Sequence, residues 1–466
     1  MRHTKFALAV LAASVLSACG GGSSTPGDQT TKVKFSSEVS FGDSLSDVGT
    51  YAVGTVKALG GGKFTINGNN TAVNATLTGQ NWTELMAAQF GLPAPCAAQT
   101  GLTGNAAQGF SVPVTNHAGC TSYAQGGARV TEPVGPGNAL TGSPLGALTV
   151  PVVTQVKNHL AAVGGKFKGD EIVFIMAGGN DALFLLTQLT TNATAAGTTA
   201  GNAQAASTFA TTLVGLLAAG ATNPATAAQA IGAALARENA NPAHTTTSLV
   251  TAAVTAAAGQ PGNLAVAQPS VYGPMVTQAT TAATAAGTAT GNQAAADYAA
   301  ANGPALVTAM GTAGAQLAAL VKSQIVGNGA NYVTLNNLPD IANTPSGLSQ
   351  SASAQTLIAA MVSAFNTQLA NGVASEPKIL LVDVYAVSHD QATNPAPYGL
   401  TNVKDPACDL SAAKNPLQSS LVCNASNVIA GDISHYSYAD TVHPTPFNNL
   451  LLARYVSQKM VVKGWI

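Results

Sequence analysis

The chain has 466 residues, enough for one large domain or two, yet only 8% of them are Asp, Glu, Lys or Arg, about a third of the usual share. The formal net charge is −1 and no basic run follows the first few residues, which excludes the electrostatic attraction that drives nucleic-acid binding. Gly, Ala, Thr, Asn and Ser dominate instead, a neutral surface suited to the outside of a cell.

At the N-terminus, Arg2 and Lys5 precede an apolar run from Phe6 to Leu16, of export-signal length and too short to span a bilayer. Leu16-Ser17-Ala18-Cys19 resembles the processing site of a bacterial lipoprotein, which implies removal of residues 1–18 and lipidation of Cys19. Gly20 in the next position would favour the outer membrane. The alternative is ordinary signal cleavage that leaves a soluble, exported protein. Residues 19–31 (CGGGSSTPGDQTT) read as a flexible tether.

Lys32 to Phe41 is expected to be a strand and Leu45 to Leu59 a helix. Residues 60–80 read as loop, Trp82 to Phe90 as a short helix, and 91–120 as loop. Val150 to Val163 is a helix by its apolar spacing, and EIVFIMAG (171–178) is a buried strand followed by a helical run from Ala182 to Leu189.

Residues 188–300 then change composition to Ala, Thr, Gly, Asn and Gln and read as a helical insertion. Within it, Ala193 to Thr198 repeats as Ala283 to Thr288, and Gly201-Asn202 recurs as Gly291-Asn292. Both a duplicated helical hairpin and drift in a biased sequence account for this. Pro304 to Ile325 is expected to be a helix, Tyr332 to Leu335 a strand, Ala354 to Asn371 a helix, Lys378 to Tyr385 a strand and Pro446 to Val456 a closing helix. Short strands between longer helices indicate an α/β fold with a mostly parallel sheet. The expected organisation is therefore 32–187 and 301–466 as two parts of one domain, interrupted by 188–300.

Besides Cys19 there are four cysteines. Three pairings are possible; the separations favour Cys96 with Cys120 and Cys408 with Cys423 in an oxidising compartment. Zinc is the rival use, but no CxxC or compact His/Cys cluster supports it.

Three segments carry chemistry. Phe41-Gly42-Asp43-Ser44-Leu45-Ser46-Asp47 follows the first strand, with Ser44 expected at a helix N-terminus, where it is either a nucleophile or a simple cap. Gly178-Gly179-Asn180-Asp181 follows the buried strand and puts an amide, or a helix cap, at its end. In Asp440-Thr441-Val442-His443-Pro444, Asp440 can reach back to the Nδ1–H of His443 and leave Nε2 as a base.

With Tyr123-Ala124-Gln125-Gly126-Gly127-Ala128 between them, these blocks resemble, in order, those of the GDSL or SGNH family of hydrolases. Leu338-Pro339-Asp340-Ile341, Thr344-Pro345, Phe365-Asn366 and Tyr398-Gly399-Leu400-Thr401-Asn402 add to the likeness. Two departures are the 188–300 segment and Ser122, where an Asn is common. The resemblance implies a three-layer, doubly wound sheet of about five parallel strands and no cofactor or metal. It also implies Ser44 as nucleophile, His443 as base and Asp440 as its partner. The oxyanion would be held by the N–H groups of Ser44 and Gly127 and the side chain of Asn180. His117, His159, His244, His389 and His435 are expected to stand outside the chemistry, with His435 the one worth a control.

The expected activity is hydrolysis of a carboxylic ester, with a lipid or another acyl ester as partner and contact with the membrane only through the lipid anchor. Acyl transfer and phospholipid cleavage use the same triad, and a cell-surface binding module is the non-enzymatic alternative. The insertion leaves the catalytic edge of the sheet, so it is either a mobile helical cover or wall of the acyl pocket, or an inert packed subdomain remote from Ser44.

Overall fold

The computed structural model describes residues 33–71 and 78–466. The leader 1–18, Cys19 and the tether 19–31 lie outside the described residues. The core is a parallel sheet of β1 (Glu38–Gly42), β4 (Ile172–Met176), β5 (Tyr332–Asn336) and β6 (Ile379–Val382), in that spatial order. An exposed hairpin, β2 (Gln99–Thr103) and β3 (Ser111–Asn116), intervenes, and β7 (Asn402–Pro406) pairs with β8 (Tyr436–Tyr438) near the C-terminus.

Alternation along the strands separates two apolar layers. On one face Val39, Phe41, Val173, Ile175, Val333 and Leu335 pack with α3 (Val152–Ala162), α7 (Pro269–Leu320) and α8 (Ala352–Val373). On the other, Ile172, Phe174 and Met176 pack with α2 (Trp82–Gln89) and α10 (Pro446–Lys463). Further helices include α1 (Gly54–Ala58), α4 (Gly179–Ala218), α5 (Pro224–Asn239), α6 (Thr246–Ala258) and α9 (Val384–Thr393). The α/β architecture and the mostly parallel sheet are as the sequence indicates.

Several local expectations are corrected. The central sheet has four strands. Residues 121–125 take the fifth place beside β1, bonded to it through Ser40 N–H to Thr121 O, Tyr123 N–H to Ser40 O and Gln125 N–H to Gly42 O. The helix expected from Leu45 shrinks to α1. Asp43 and Asp47 accept the N–H groups of Leu45, Gly49 and Thr50, and such side-chain bonds compete with helix formation. Residues 91–120 contain the β2–β3 hairpin, hidden in sequence because Pro113 interrupts the short alternation of Phe110, Val112 and Val114 and β3 is mostly exposed. The strand expected to run to Tyr385 ends at Val382, where Asp383 caps α9 by accepting from Ala386 N–H. Both disulfides, Cys96–Cys120 and Cys408–Cys423, are formed, and they indicate an oxidising, non-cytoplasmic compartment.

The boundaries expected at 188 and 300 fall inside helices. α4 runs unbroken from the end of β4 into the Ala/Thr-rich region, and α7 returns to the core without interruption. Their far ends join α5 and α6 around a separate core that includes Leu213, Leu217, Ile231 and Val254. Leu213 lies on the same helix as Asn180 and about 50 Å along it. The tip is therefore a remote packed unit rather than a cover for Ser44.

The internal repeat is the two sides of one antiparallel crossing. A β-carbon on Gly197 would sit 2.6 Å from Gly291 O, and one on Gly201 2.8 Å from Gly287 O; the reciprocal distances are 2.9 and 2.8 Å. Small residues at every fourth position let the two backbones touch, the same spacing in both chains of the crossing. This geometry makes one substitution act with opposite signs at two places. Gly215 is on the same helix with nothing within 4 Å, so Gly215→Ala is expected to stabilise by about 0.8–1 kcal/mol. Gly201→Ala gains the same propensity but forces the helices apart, at about 1–3 kcal/mol, and is expected to lower the midpoint of urea unfolding. A rise in that midpoint for Gly201→Ala would show that the crossing is looser than the backbone contact requires.

Candidate active site

The site begins where β1 ends. Gly42 adopts φ 149° and any β-carbon there would collide with the Met176 carbonyl of β4, so only glycine can take the chain round this corner. Gln155 of α3 holds the peptides on both sides of Gly42, accepting from Gly42 N–H at 2.9 Å and donating to Gly42 O at 2.8 Å. Ser44 follows in a turn rather than at a helix N-terminus, and it is only 8% exposed.

His443 reaches Ser44 from the other end of the chain. Its Nε2 lies 2.8 Å from Ser44 Oγ, and its Nδ1 lies 2.9 and 2.8 Å from the two Asp440 carboxylate oxygens. The expected reach from Asp440 to Nδ1 is thus present, and it orients the ring. Asp440 also accepts from the N–H groups of Ser420, Val442 and His443. Phe64 lies against the imidazole, with ring centroids 4.9 Å apart.

Burial by itself would push the Asp440 carboxyl up and the His443 imidazole down. The mutual attraction of the two charges and their hydrogen bonds outweigh this, holding Asp440 well below the usual carboxylate range and His443 above the usual imidazole value. The depressed Asp440 contributes stability above an ordinary 3.8 that is lost as pH falls; the raised His443 contributes stability below an ordinary 6.5 that is lost as pH climbs. Asp43, next to the serine, is pushed up to about 7 by burial.

The second wall is the 126–130 loop. Asp47 accepts from Gly126 N–H at 2.9 Å, and the Tyr51 hydroxyl donates to Gly126 O at 2.7 Å. Gly127 follows with φ 79°, packed so that a β-carbon would strike Pro136 O. Asn180 is in the first turn of α4, whose N-cap is Gly178, so its side chain is no cap. Its Nδ2 instead donates to Ala128 O at 2.9 Å. Asp181 accepts from Val130 N–H and pairs with Arg129, Nε to Oδ1 at 3.1 Å. Among the described residues the Ser44 and Gly127 N–H groups have no protein acceptor, and one hydrogen of the Asn180 amide is left over.

The structure therefore brings Ser44, His443 and Asp440 into one hydrogen-bonded chain. It places Gly127 and Asn180 on a loop and a helix tied to each other. The other histidines are engaged elsewhere: His435 packs edge-on against Phe447, and His389 pairs with Asp340 at 2.7 Å. His159 is buried among Phe41, Tyr123 and Phe167, its pKa pushed down to about 4 by burial. Among the described residues no three His, Cys, Asp or Glu side chains form a group that could hold a metal ion.

Sequence reasoning missed Gln155, Phe64, Ser420 and Arg129. Gln155 had a signal, a polar residue at the core spacing set by Val152, Val156 and His159 on α3. Phe64 sits in an irregular segment and Ser420 opens a single 3-10 turn, and neither had one.

The geometry predicts the pH response. Activity that needs neutral His443 should rise through a pKa above 6.5. Asp440→Asn removes the charge that raises it, so the acid limb of kcat/KM should move to lower pH while kcat falls by about 10⁴ through loss of the correct tautomer. A profile whose acid limb stays in place in Asp440→Asn would separate that limb from His443.

No protein-family model and no curated protein matches this chain.

Proposed function

We propose that the chain is a serine ester hydrolase of the GDSL/SGNH type, exported and held at the outer membrane by lipidated Cys19. The observation that carries the hydrolase reading is the 2.8 Å contact of Ser44 Oγ with His443 Nε2, with Asp440 on the opposite ring nitrogen. The parallel sheet, with residues 121–125 in the place of a strand outside β1, supports the three-layer fold of that family.

In the proposed reaction, His443 Nε2 takes the Ser44 hydroxyl proton as Oγ attacks the ester carbonyl carbon. The tetrahedral oxyanion accepts from the N–H groups of Ser44 and Gly127 and from Asn180 Nδ2. The intermediate collapses, the C–O bond to the alcohol breaks and His443 returns its proton to the leaving oxygen. Water, deprotonated by His443, then attacks the acyl carbon; the acid leaves and the Ser44 hydroxyl is restored. Asp440 keeps its charge throughout and stabilises the imidazolium. No cofactor enters any step.

The acyl-enzyme reading is tested with a fluorophosphonate probe and nitrophenyl acetate. Wild type is expected to be labelled at Ser44 and to turn over; Ser44→Ala is expected to lose labelling and to fall to the residual rate left by the oxyanion donors. More than a tenth of the wild-type rate in folded Ser44→Ala would remove the nucleophile assignment.

For the oxyanion, Asn180→Ala is expected to lose about 3 kcal/mol of transition-state stabilisation, chiefly in kcat. If kcat is unchanged, the side chain serves only to hold Ala128.

A further inference from the structure

At the root of the helical arm, an open groove of about 1330 Å³ lies between α4, α7 and the start of α8. Pockets for ordinary small ligands measure about 300–1,000 Å³. Leu183 and Leu186 form one wall, Ala299 and Val307 another, and Ile341 and Leu357 the floor; none of its lining residues is Asp, Glu, Lys, Arg or His. Leu183, Leu186 and Leu357 are only partly buried, so apolar surface stands open to water beside the sheet. The lining positions of α7 are small, with Ala295, Ala299 and Gly303 at successive fourth positions. They leave space where larger side chains would close the helices onto each other.

The groove neighbours the site in two ways. Leu183 is three residues beyond Asn180 on α4, a rise of about 4.5 Å. Ser346, another lining residue, donates its N–H to Thr441 O at 2.9 Å, and Thr441 lies between Asp440 and His443. The helix that carries Asn180 therefore also walls the groove, and a lining residue is bonded to the segment that carries Asp440 and His443.

We propose that this groove receives the acyl chain of the substrate, so that the esters cleaved are those of long, unbranched fatty acids. The inference rests on the hydrolase reading for the position of the carbonyl, and on the groove alone for the chain. An uncharged trench whose walls adjoin the segments carrying Asn180 and His443 rewards each methylene that leaves water and offers no counter-charge to a charged sugar or peptide.

Two substitutions on the full chain test it. Ala299→Trp places an indole in the trench, and Leu186→Asp places a carboxylate there. The ratio of kcat/KM for octanoyl over acetyl nitrophenyl ester is expected to fall at least tenfold in each, about 1.4 kcal/mol. Binding of the fluorescent fatty acid cis-parinaric acid, measured on the Ser44→Ala background, is expected to weaken at least as much. Should Ala299→Trp fail to fold by thermal melting, Leu186→Asp, on a partly exposed position, carries the test.

An unchanged ratio and unchanged parinaric binding in a folded variant overturn the proposal. So does self-association in sedimentation that either substitution abolishes while fatty-acid binding is untouched, since the groove would then belong to a second copy. Labelling of Ser44 by the fluorophosphonate separates the two readings. Labelling with an unchanged ratio removes the acyl groove alone. Absence of labelling removes the hydrolase, while parinaric binding lost in Leu186→Asp still supports a fatty-acid site.

Discussion

The site depends on the close passage of Gly42 over the Met176 carbonyl. Two parallel strands end side by side, and the first must leave the sheet without a side chain in the way. Gln155 fixes the departing peptide by two hydrogen bonds, both buried, where an unmade bond would cost the full desolvation of the group. Ser44 is two residues further on, so its position is set by backbone sterics and a buried amide rather than by its own side chain. The same corner recruits residues 121–125, because Gly42 O accepts from Gln125 N–H on the side away from β4.

Around that corner, buried carboxylates act as clamps. Asp47 joins the Ser44 turn to Gly126, and Asp181 joins the following loop to α4. Burial raises both of their pKa values, Asp47 to about 6. Asp440 differs because the imidazole faces it, and that charge together with the hydrogen bonds it accepts outweighs the same burial. In a chain with so few charged residues, those it has buried near Ser44 are nearly all committed to holding backbone N–H groups in place. That arrangement fits catalysis in which fixed dipoles, oriented before the reaction, stabilise a developing charge.

The arm shows the same economy in apolar terms. Its two long helices approach through glycines and alanines, which bring backbones into contact but supply little side-chain volume. Near the sheet, larger residues such as Leu183, Leu186 and Leu357 replace them on two sides only, and the helices part around the groove. At the tip, α5 and α6 restore a packed core. The backbones are therefore closest at the crossing, a packed core closes the tip, and the largest of the grooves along the arm lies at the root.

Sequence by itself determined the α/β class, the two disulfide pairs, the central strands β4 and β5 and the candidacy of Ser44, Asp440 and His443. Each is a local signal: a short apolar run, a pair of nearby cysteines, a polar motif at a strand end or a His three residues after an Asp. Tertiary structure alone decided the rest. It turned the expected helix after Ser44 into an Asp-capped turn and put residues 121–125 in the place of a strand. It also made the 193–202 and 283–292 repeat one helix crossing and drew Gln155, Phe64 and Ser420 to the site. Those outcomes depend on which backbones come within a few ångströms of each other across tens or hundreds of residues. Local propensity and periodicity carry no information about that distance.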